Sequence, residues 1–349
     1  LKIKFICYRM SGSGGTETVL TKVANLLSEK NEITIVLVNN PQNKIWLCKL
    51  HDNIKLKIPR LNNSFYLIWY VFKELVISSS QTRIIILGAN IIRFASLVKR
   101  TFLKKYKIYS WIHFSLFEQK MFNPHNILKA DYHLAISSTI AKQLQQLGVD
   151  NSKIFLVYNP IEKNRLITNI ESNNFSLVYV GRILFDGQKN LKELFQGLSK
   201  TESNIGLDLF GDGSEESKNT CLNYIKRKNL TQRIHWHGWV KDPWKVMPRK
   251  KIALILTSKY EGLPMVMLEA ISRGIPVITA RFSGYEDVLI EGINGYSYPQ
   301  GDIAALVTAI KKVKDKQLDP QKIAASIDKF YSKSYVKNFE IAINNNSRG

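Results

Sequence analysis

Glu261-Gly262-Leu263-Pro264-Met265-Val266-Met267-Leu268-Glu269 sets two acids eight residues apart, the first before a Gly-Leu-Pro step and the second inside an apolar run. Proline favours the first position of a helix, so the stretch predicts a helix start near Pro264. Gly274-Ile275-Pro276 closes that helix, and Val277-Ile278-Thr279 then reads as a short buried strand. Glu261 is thereby placed on the loop feeding the helix, with Glu269 more than a turn inside. A helix N-terminus attracts anions, so two carboxylates beside one need something else to bind. Carboxylates accept hydrogen bonds from sugar hydroxyls while free amides hold a phosphate. A nucleotide sugar is the first ligand class that fits.

The same strand-and-helix alternation runs from end to end, the pattern of an α/β protein with parallel sheets. Strands are predicted at 3–7, 33–38, 84–87, 108–112, 132–136 and 154–157, and again at 176–180, 206–210, 234–237, 252–256, 276–279 and 296–298. Asn159-Pro160 and the polar segment from Glu162 to Asn174 read as the linker between two halves. The economical architecture is two doubly wound, Rossmann-like halves facing each other across a cleft, with ligands outside the carboxyl ends of the strands. Domain borders are expected near 1–165 and 166–325, with a C-terminal helix over about 326–349 packing back on the first domain. Pro320 to Phe339 reads as helical, with Ile323, Ile327, Phe330 and Tyr331 on one side.

The 349 residues suffice for two domains, and 45% hydrophobic residues indicate a real core. Fifty Lys and Arg against 28 Asp and Glu leave a formal charge of +22, which calls for an anionic partner: nucleic acid, an acidic membrane surface or a phosphorylated substrate. Cys7, Cys48 and Cys221 form no CxxC pair and no disulfide framework, which suits a reducing compartment. No signal peptide is visible, and the longest apolar run, Phe65 to Phe72, is too short to span a bilayer. A soluble or peripheral cytoplasmic protein is expected.

Further motifs sit at strand ends. Ser11-Gly12-Ser13-Gly14-Gly15-Thr16-Glu17 follows the first strand and opens a helix, where glycines let amides approach a phosphate or sugar; a plain tight turn explains it as well. Gly181-Arg182 and then Lys189 bracket the next loop, so that a guanidinium and an ammonium can converge on one pyrophosphate. Gly211-Asp212-Gly213-Ser214 is another such turn, in which Asp212 or Ser214 can equally cap the next helix. The backbone of Gly238-Trp239-Val240 can pair with a nucleobase, or Trp239 can simply pack. His113 follows a strand in aromatic company, as a packing residue or a substrate contact. His235 and His237 share a face without a third ligand, and no Asp-x-Asp pair occurs to bridge a divalent ion to a diphosphate. The basic stretch from Lys99 to Lys107, if a surface helix, suits anionic lipid as well as plain solvation. Lys245, Arg249, Lys250 and Lys251 form a second basic cluster of open meaning.

With these residues in view, the chain resembles a retaining GT-B glycosyltransferase of the large family carrying the E-x7-E signature. The pieces that carry the likeness are Gly14-Gly15-x-Glu17, Gly181-Arg182 with Lys189, Gly211-Asp212-Gly213, Glu261 to Glu269, and Gly292-x-Asn294-Gly295. More narrowly it is similar to the lipopolysaccharide core α-1,6-galactosyltransferases, through Trp111-Ile112-His113-Phe114-Ser115-Leu116, Ala130 to Ser138, Gly187-Gln188-Lys189, Gly301-Asp302-Ile303 and Ala325 to Tyr331. The resemblance implies that Arg182 and Lys189 grip the donor diphosphate, Glu269 the ribose, and Glu261 with the amides of Gly262, Leu263 and Met265 the transferred sugar. Gly213 and Trp239 would line the donor site. Gly14 and Gly15 would close over phosphate and sugar from the other domain, and His113 would contact the sugar near the reacting carbon. The spacing from Arg182 to Lys189 is longer than in much of the wider family and fits the lipopolysaccharide subgroup.

By that likeness the chain is expected to move a hexose, galactose from UDP-galactose, onto a lipopolysaccharide core sugar through an α-1,6 linkage with retention. His113, Glu261, Arg182 and Lys189 would carry the reaction without a metal or other cofactor, the leaving diphosphate helping to deprotonate the acceptor. The expected setting is cytoplasmic and peripheral at the anionic inner membrane surface, with no nucleic-acid partner. Transfer of another nucleotide-hexose to a surface glycan, and a UDP-sugar epimerase on the same fold, are the competing readings. Nucleic-acid binding would explain the charge, but the chain has no recognised motif for it and its lysines are scattered over both halves.

Overall fold

Runs such as Ile3, Phe5, Ile6 and Cys7, or Ile252 to Leu256, lose almost all solvent contact because helices cover both faces of the strands they form. A computed structural model describes residues 1–8, 10, 15–113, 115–117, 122–167, 175–247 and 251–344. The chain divides into two compact units, one of Leu1–Pro160 with the chain from Phe330 onward, the other Ile161–Lys329. The divide falls after Pro160 and the return at Phe330, against the expected borders near 165 and 325.

The strands of the first unit are β1 Lys2–Cys7, β2 Glu32–Leu37, β3 Lys55–Lys57, β4 Thr82–Leu87, β5 Lys107–Ile112, β6 Tyr132–Ala135 and β7 Ile154–Leu156. Its first four helices are α1 Gly15–Ser28, α2 Ser64–Val76, α3 Ala89–Thr101 and α4 Ser138–Gln146. The strands form one sheet of order β3-β2-β1-β4-β5-β6-β7, with every pairing parallel. β3 was not foreseen, because a three-residue Lys-Leu-Lys edge strand carries no apolar run.

In the second unit the strands are β8 Phe175–Val180, β9 Ile205–Phe210, β10 Ile234–Gly238, β11 Lys251–Leu256, β12 Val277–Ala280 and β13 Gly295–Tyr298. Its helices are α5 Leu191–Leu198, α6 Glu215–Arg227, α7 Met265–Ile271, α8 Ile303–Asp315 and α9 Pro320–Ala325. The sheet order β10-β9-β8-β11-β12-β13 is again all parallel. Leu177, Tyr179, Leu207, Leu209, Phe195 and Ile310 lie in the core of this unit.

Three expectations are corrected. The single helix expected over Pro320 to Phe339 is broken into α9, a 3-10 turn at Asp328–Phe330, and α10 Ser332–Asn344. Ser326 helps end α9, its hydroxyl donating to the Ile323 carbonyl (2.6 Å) and meeting the Asn294 amide (2.8 Å). α10 belongs to the first unit, where Phe339 stacks edge-on to Trp111 and the Ile343 carbonyl accepts from Arg83 and Tyr109. The linker from Glu162 is not free along its described part: Asn164 donates to Ser272 (2.9 Å) and the Ile167 amide to the Arg273 carbonyl (2.8 Å). Residues 168–174 lie outside the described residues. Lys99 to Lys107 is no continuous helix, since α3 ends at Thr101 and Lys107 begins β5. Lys99 is held by Asp131 (2.6 Å). Among the described residues no helix is long and apolar enough to cross a membrane.

Candidate active site

In the second sheet, the chain runs from β8 outward through β9 and β10, then returns to lay β11 on the other side of β8. Strand order reverses between β8 and β11, the switch point at which parallel sheets take their ligands. Arg182, Lys189 and Glu261 all lie on these two loops, with Glu269 on the helix that follows.

The loops are joined at several points. The Thr257 hydroxyl donates to the carbonyls of Lys189 and Asn190 (both 3.0 Å), the Lys259 amide to Gln188 O (2.8 Å), and the Gln188 side chain to Tyr260 O (3.2 Å). Lys189 Nζ meets Glu261 Oε1 at 2.6 Å, with the two side chains only 15% and 10% exposed. Arg182 Nη2 donates to Gln188 Oε1 at 2.8 Å. Arg182 and Lys189 are thus gathered on one loop, but Lys189 has a carboxylate for its partner here. Asn190 adopts a left-handed backbone (φ 50°) at the entry to α5, and its side chain donates to Glu193.

The floor is made of glycine turns packed backbone to backbone. The Gly181 amide donates to Phe210 O (3.0 Å), Ile183 N to Asp212 O (2.9 Å) and Gly211 N to Gly238 O (2.8 Å), stitching the ends of β8, β9 and β10. A Cβ on Gly211 would lie 1.8 Å from the Gly181 carbonyl oxygen, and one on Gly213 2.4 Å from that of Ile183. Gly213 is therefore fixed by packing whatever it binds. Ser214 caps α6 by accepting from Ser217 N (3.2 Å), while Asp212 accepts from Gly213 N and Lys218. Trp239, just beyond Gly238, is 72% exposed, which removes the reading in which it packs.

Pro264 caps α7 and Met265 is its first residue, with Leu263 buried beneath; Gly262 lies in the turn before. Glu269, one turn on, accepts at Oε2 from the Trp244 indole N–H (2.9 Å), and the Arg273 guanidinium lies 5.1 Å above the Trp244 ring. Trp244 was missed in the sequence because it fixes Glu269 from a separate 3-10 turn, a proximity no spacing reveals. Tyr179 was missed likewise: its hydroxyl donates to Arg182 O (2.7 Å) and holds the loop from within the sheet. In the other basic cluster, Lys245 faces Asp242 and Lys251 bonds the Lys314 carbonyl, while Arg249 and Lys250 lie outside the described residues.

His113 and Gly15 belong to the first unit. His113 follows β5 with its ring edge-on to Trp111 (4.5 Å), and its buried Nε2 has no partner among the described residues. Burial lowers its pKa to about 3, so the ring is neutral and unsuited to carry a proton near pH 7. Gly15 opens α1, where an added Cβ would meet nothing within 4 Å; Gly14 lies outside the described residues. His237 bonds Asp208 (3.0 Å) and stacks on Phe210, and no group of three or more His, Cys, Asp or Glu gathers among the described residues.

The family model of glycosyl transferases group 1 matches residues 160–330, the stretch that carries this arrangement. Across 98% of each chain, the sequence is 35% identical to the lipopolysaccharide 1,6-galactosyltransferase of Salmonella typhimurium. It is also 35% identical to the enzyme of the same description from Escherichia coli K12, over 96% of each chain. Among solved structures, the lipopolysaccharide outer core galactosyltransferase WaaB in its apo form matches with a TM-score of 0.87 and 33% identity, over 99% of this chain and 100% of that one. An Anabaena protein, HepE, in complex with UDP shares the fold at a TM-score of 0.81 and 18% identity, over 99% of this chain and 100% of that one.

Proposed function

This chain belongs to the group 1 glycosyltransferases, with the two Rossmann-like domains of the GT-B fold, and from that premise we propose that it transfers galactose from UDP-galactose to a lipopolysaccharide core sugar. The linkage is α-1,6 and the anomeric configuration is retained. The observation that carries this reading is the Lys189–Glu261 pair joining the loops of β8 and β11, where strand order reverses, with Arg182 bonded to Gln188 on the same β8 loop. Full-length likeness to two lipopolysaccharide 1,6-galactosyltransferases supports the donor and acceptor.

Arg182 and Lys189 neutralise the donor diphosphate, taking the charge that a divalent ion bears elsewhere. Glu269, oriented by Trp244, accepts from the ribose hydroxyls, and Trp239 with Gly213 lies along the nucleotide. Glu261 and the amides of Gly262, Leu263 and Met265 orient the hexose. The bond from the anomeric carbon to the phosphate oxygen breaks as the bond to the acceptor oxygen forms on the same face, and the acceptor proton passes to the leaving diphosphate. The family likeness assigns His113, here neutral, a hydrogen bond to the sugar, and Gly14 and Gly15 an approach to phosphate and sugar. The acceptor is lipid-anchored, and the +22 charge suits peripheral residence on the anionic cytoplasmic face of the inner membrane.

A screen of nucleotide hexoses against truncated core lipopolysaccharide, read by mass spectrometry and linkage NMR, tests the proposal. UDP-galactose is expected to give one added hexose, α-linked to a 6-hydroxyl, with turnover undiminished in EDTA. Preference for another donor sinks the galactose assignment, and loss of activity in chelator sinks the metal-free route. Donor incubated alone should yield no sugar isomer; an isomer would point to epimerisation instead.

A further inference from the structure

α2 is apolar on both sides, which an ordinary surface helix is not. Its inner side buries Tyr70, Val71 and Leu75, together with Glu74, which accepts from Lys4 (3.0 Å) and Lys57 (2.7 Å). Its outer side carries Phe65, Ile68 and Trp69, exposed by 89%, 57% and 52%. The stripe continues through Phe72, whose ring meets Phe102 edge-on at 5.3 Å just beyond α3. Leu103 follows, 86% exposed and in the left-handed region at φ 49°, where Gly or Asn is the usual occupant. A bulky leucine is thus held in a costly conformation with its side chain in water.

Charge identifies the occupant. From Asn53 to Phe117 the only acidic residue is Glu74, already bonded to two lysines. Around the apolar stripe stand Lys73, Arg100 and Lys105, all exposed, and Lys104 follows Leu103. Large apolar and aromatic side chains flanked by cations, with no exposed acid between Asn53 and Phe117 among the described residues, match the boundary between the headgroups and acyl chains of an anionic bilayer. We propose that the outer face of α2 and the turn after α3 form a membrane-docking surface, on which Phe65, Ile68, Trp69, Phe102 and Leu103 enter the acyl boundary and the basic rim meets anionic headgroups. This names the contact surface of the peripheral residence proposed above and rests on that reading. It differs from the basic surface helix that the sequence left level with plain solvation, being an apolar wedge with basic flanks.

Flotation of the full-length protein with phosphatidylethanolamine/phosphatidylglycerol vesicles tests it, with neither donor nor acceptor present, so the outcome does not depend on transferase activity. Wild type is expected to float with these vesicles and not with phosphatidylcholine. F65S/W69S should lower partitioning about thirtyfold or more, and R100Q/K105Q about tenfold, the latter with a shallower salt dependence. L103G should also weaken binding while its melting temperature holds or rises, which separates docking from folding. Turnover of F65S/W69S on a lipid-free core oligosaccharide should equal wild type. Unchanged partitioning in F65S/W69S would overturn the proposal. So would a wild-type dimer that these substitutions split without any vesicle binding, which would give the face to a second copy of the chain.

Discussion

Substituting Lys189→Met and Glu261→Gln in separate proteins takes apart the ion pair at the centre of the site. Its 2.6 Å contact joins side chains 15% and 10% exposed. That burial lies between an exposed pair, worth about 1 kcal/mol or less, and a fully buried one, where losing a partner costs about 3 to 5 kcal/mol. Lys189→Met leaves the carboxylate against a thioether and is expected to cost about 2 to 3 kcal/mol. For a unit of this size that lowers Tm by about 4 to 12 °C. Glu261→Gln keeps an acceptor for the ammonium and costs about 1 kcal/mol. UDP separates the variants in a second way. In the proposed complex the diphosphate becomes the counter-ion of Lys189, so Glu261 competes with it in the unliganded protein. Glu261→Gln should therefore bind UDP as tightly as wild type or up to about tenfold more tightly. Lys189→Met, having lost a charge-assisted bond, should bind at least about tenfold more weakly. Both should lose turnover by about a hundredfold or more, the first because the hexose is no longer oriented and the second because the leaving group is no longer neutralised. Calorimetric titration with UDP and initial rates with donor and acceptor supply the readings. A Glu261→Gln protein whose UDP affinity falls as far as that of Lys189→Met would refute this competition.

Trp244→Phe removes the indole N–H from Glu269 while retaining a ring beneath Arg273, and UDP affinity is expected to fall about tenfold by calorimetry. An unchanged dissociation constant would deny Trp244 its orienting role. Gly211→Ala drives a Cβ to 1.8 Å from the Gly181 oxygen at φ 151° and should cost about 3 kcal/mol or more in urea unfolding. Gly187→Ala, at φ 78° with nothing within 4 Å of the added Cβ, should cost only about 1 kcal/mol, and equal losses would contradict the backbone interlock. Burial depresses His113 to about 3 and His133 to about 4, the latter also through Lys153. Both bind protons more readily once unfolded, near the ordinary value of about 6.5, so the stability they contribute is complete above that pH and drains away as pH falls toward their folded values. Melting temperatures of wild type should fall between pH 6.5 and 5, more steeply than those of His133→Asn; parallel slopes would exclude this linkage.

Period and punctuation made most of the architecture legible. A buried parallel strand is a short apolar run, and the runs at 3–7, 84–87, 176–180 and 252–256 announce themselves with a glycine turn or an amphipathic stretch between. β3 escaped because an edge strand of two lysines and a leucine needs no apolar run. The helix expected from Pro320 was broken by bonds from Ser326 to Ile323 and Asn294, the latter distant in sequence and so absent from any local pattern.

The candidate site divides along the same line. The sequence by itself nominated Arg182, Lys189, Glu261 and Glu269, which stand after strand ends or in the helix that follows, and strand ends are where parallel sheets leave backbone and side chains open to a ligand. Only the tertiary structure decided whom they face. Strands β8 and β11 are far apart in the chain yet hydrogen-bonded neighbours, and that pairing sets Lys189 against Glu261 and zips their loops through Thr257 and Gln188. Trp244 reaches Glu269, and the outer face of α2 meets Phe102, for the same reason. Local pattern is set by the period of the backbone, whereas partners are set by which surfaces the folded chain brings together, and that depends on every element at once.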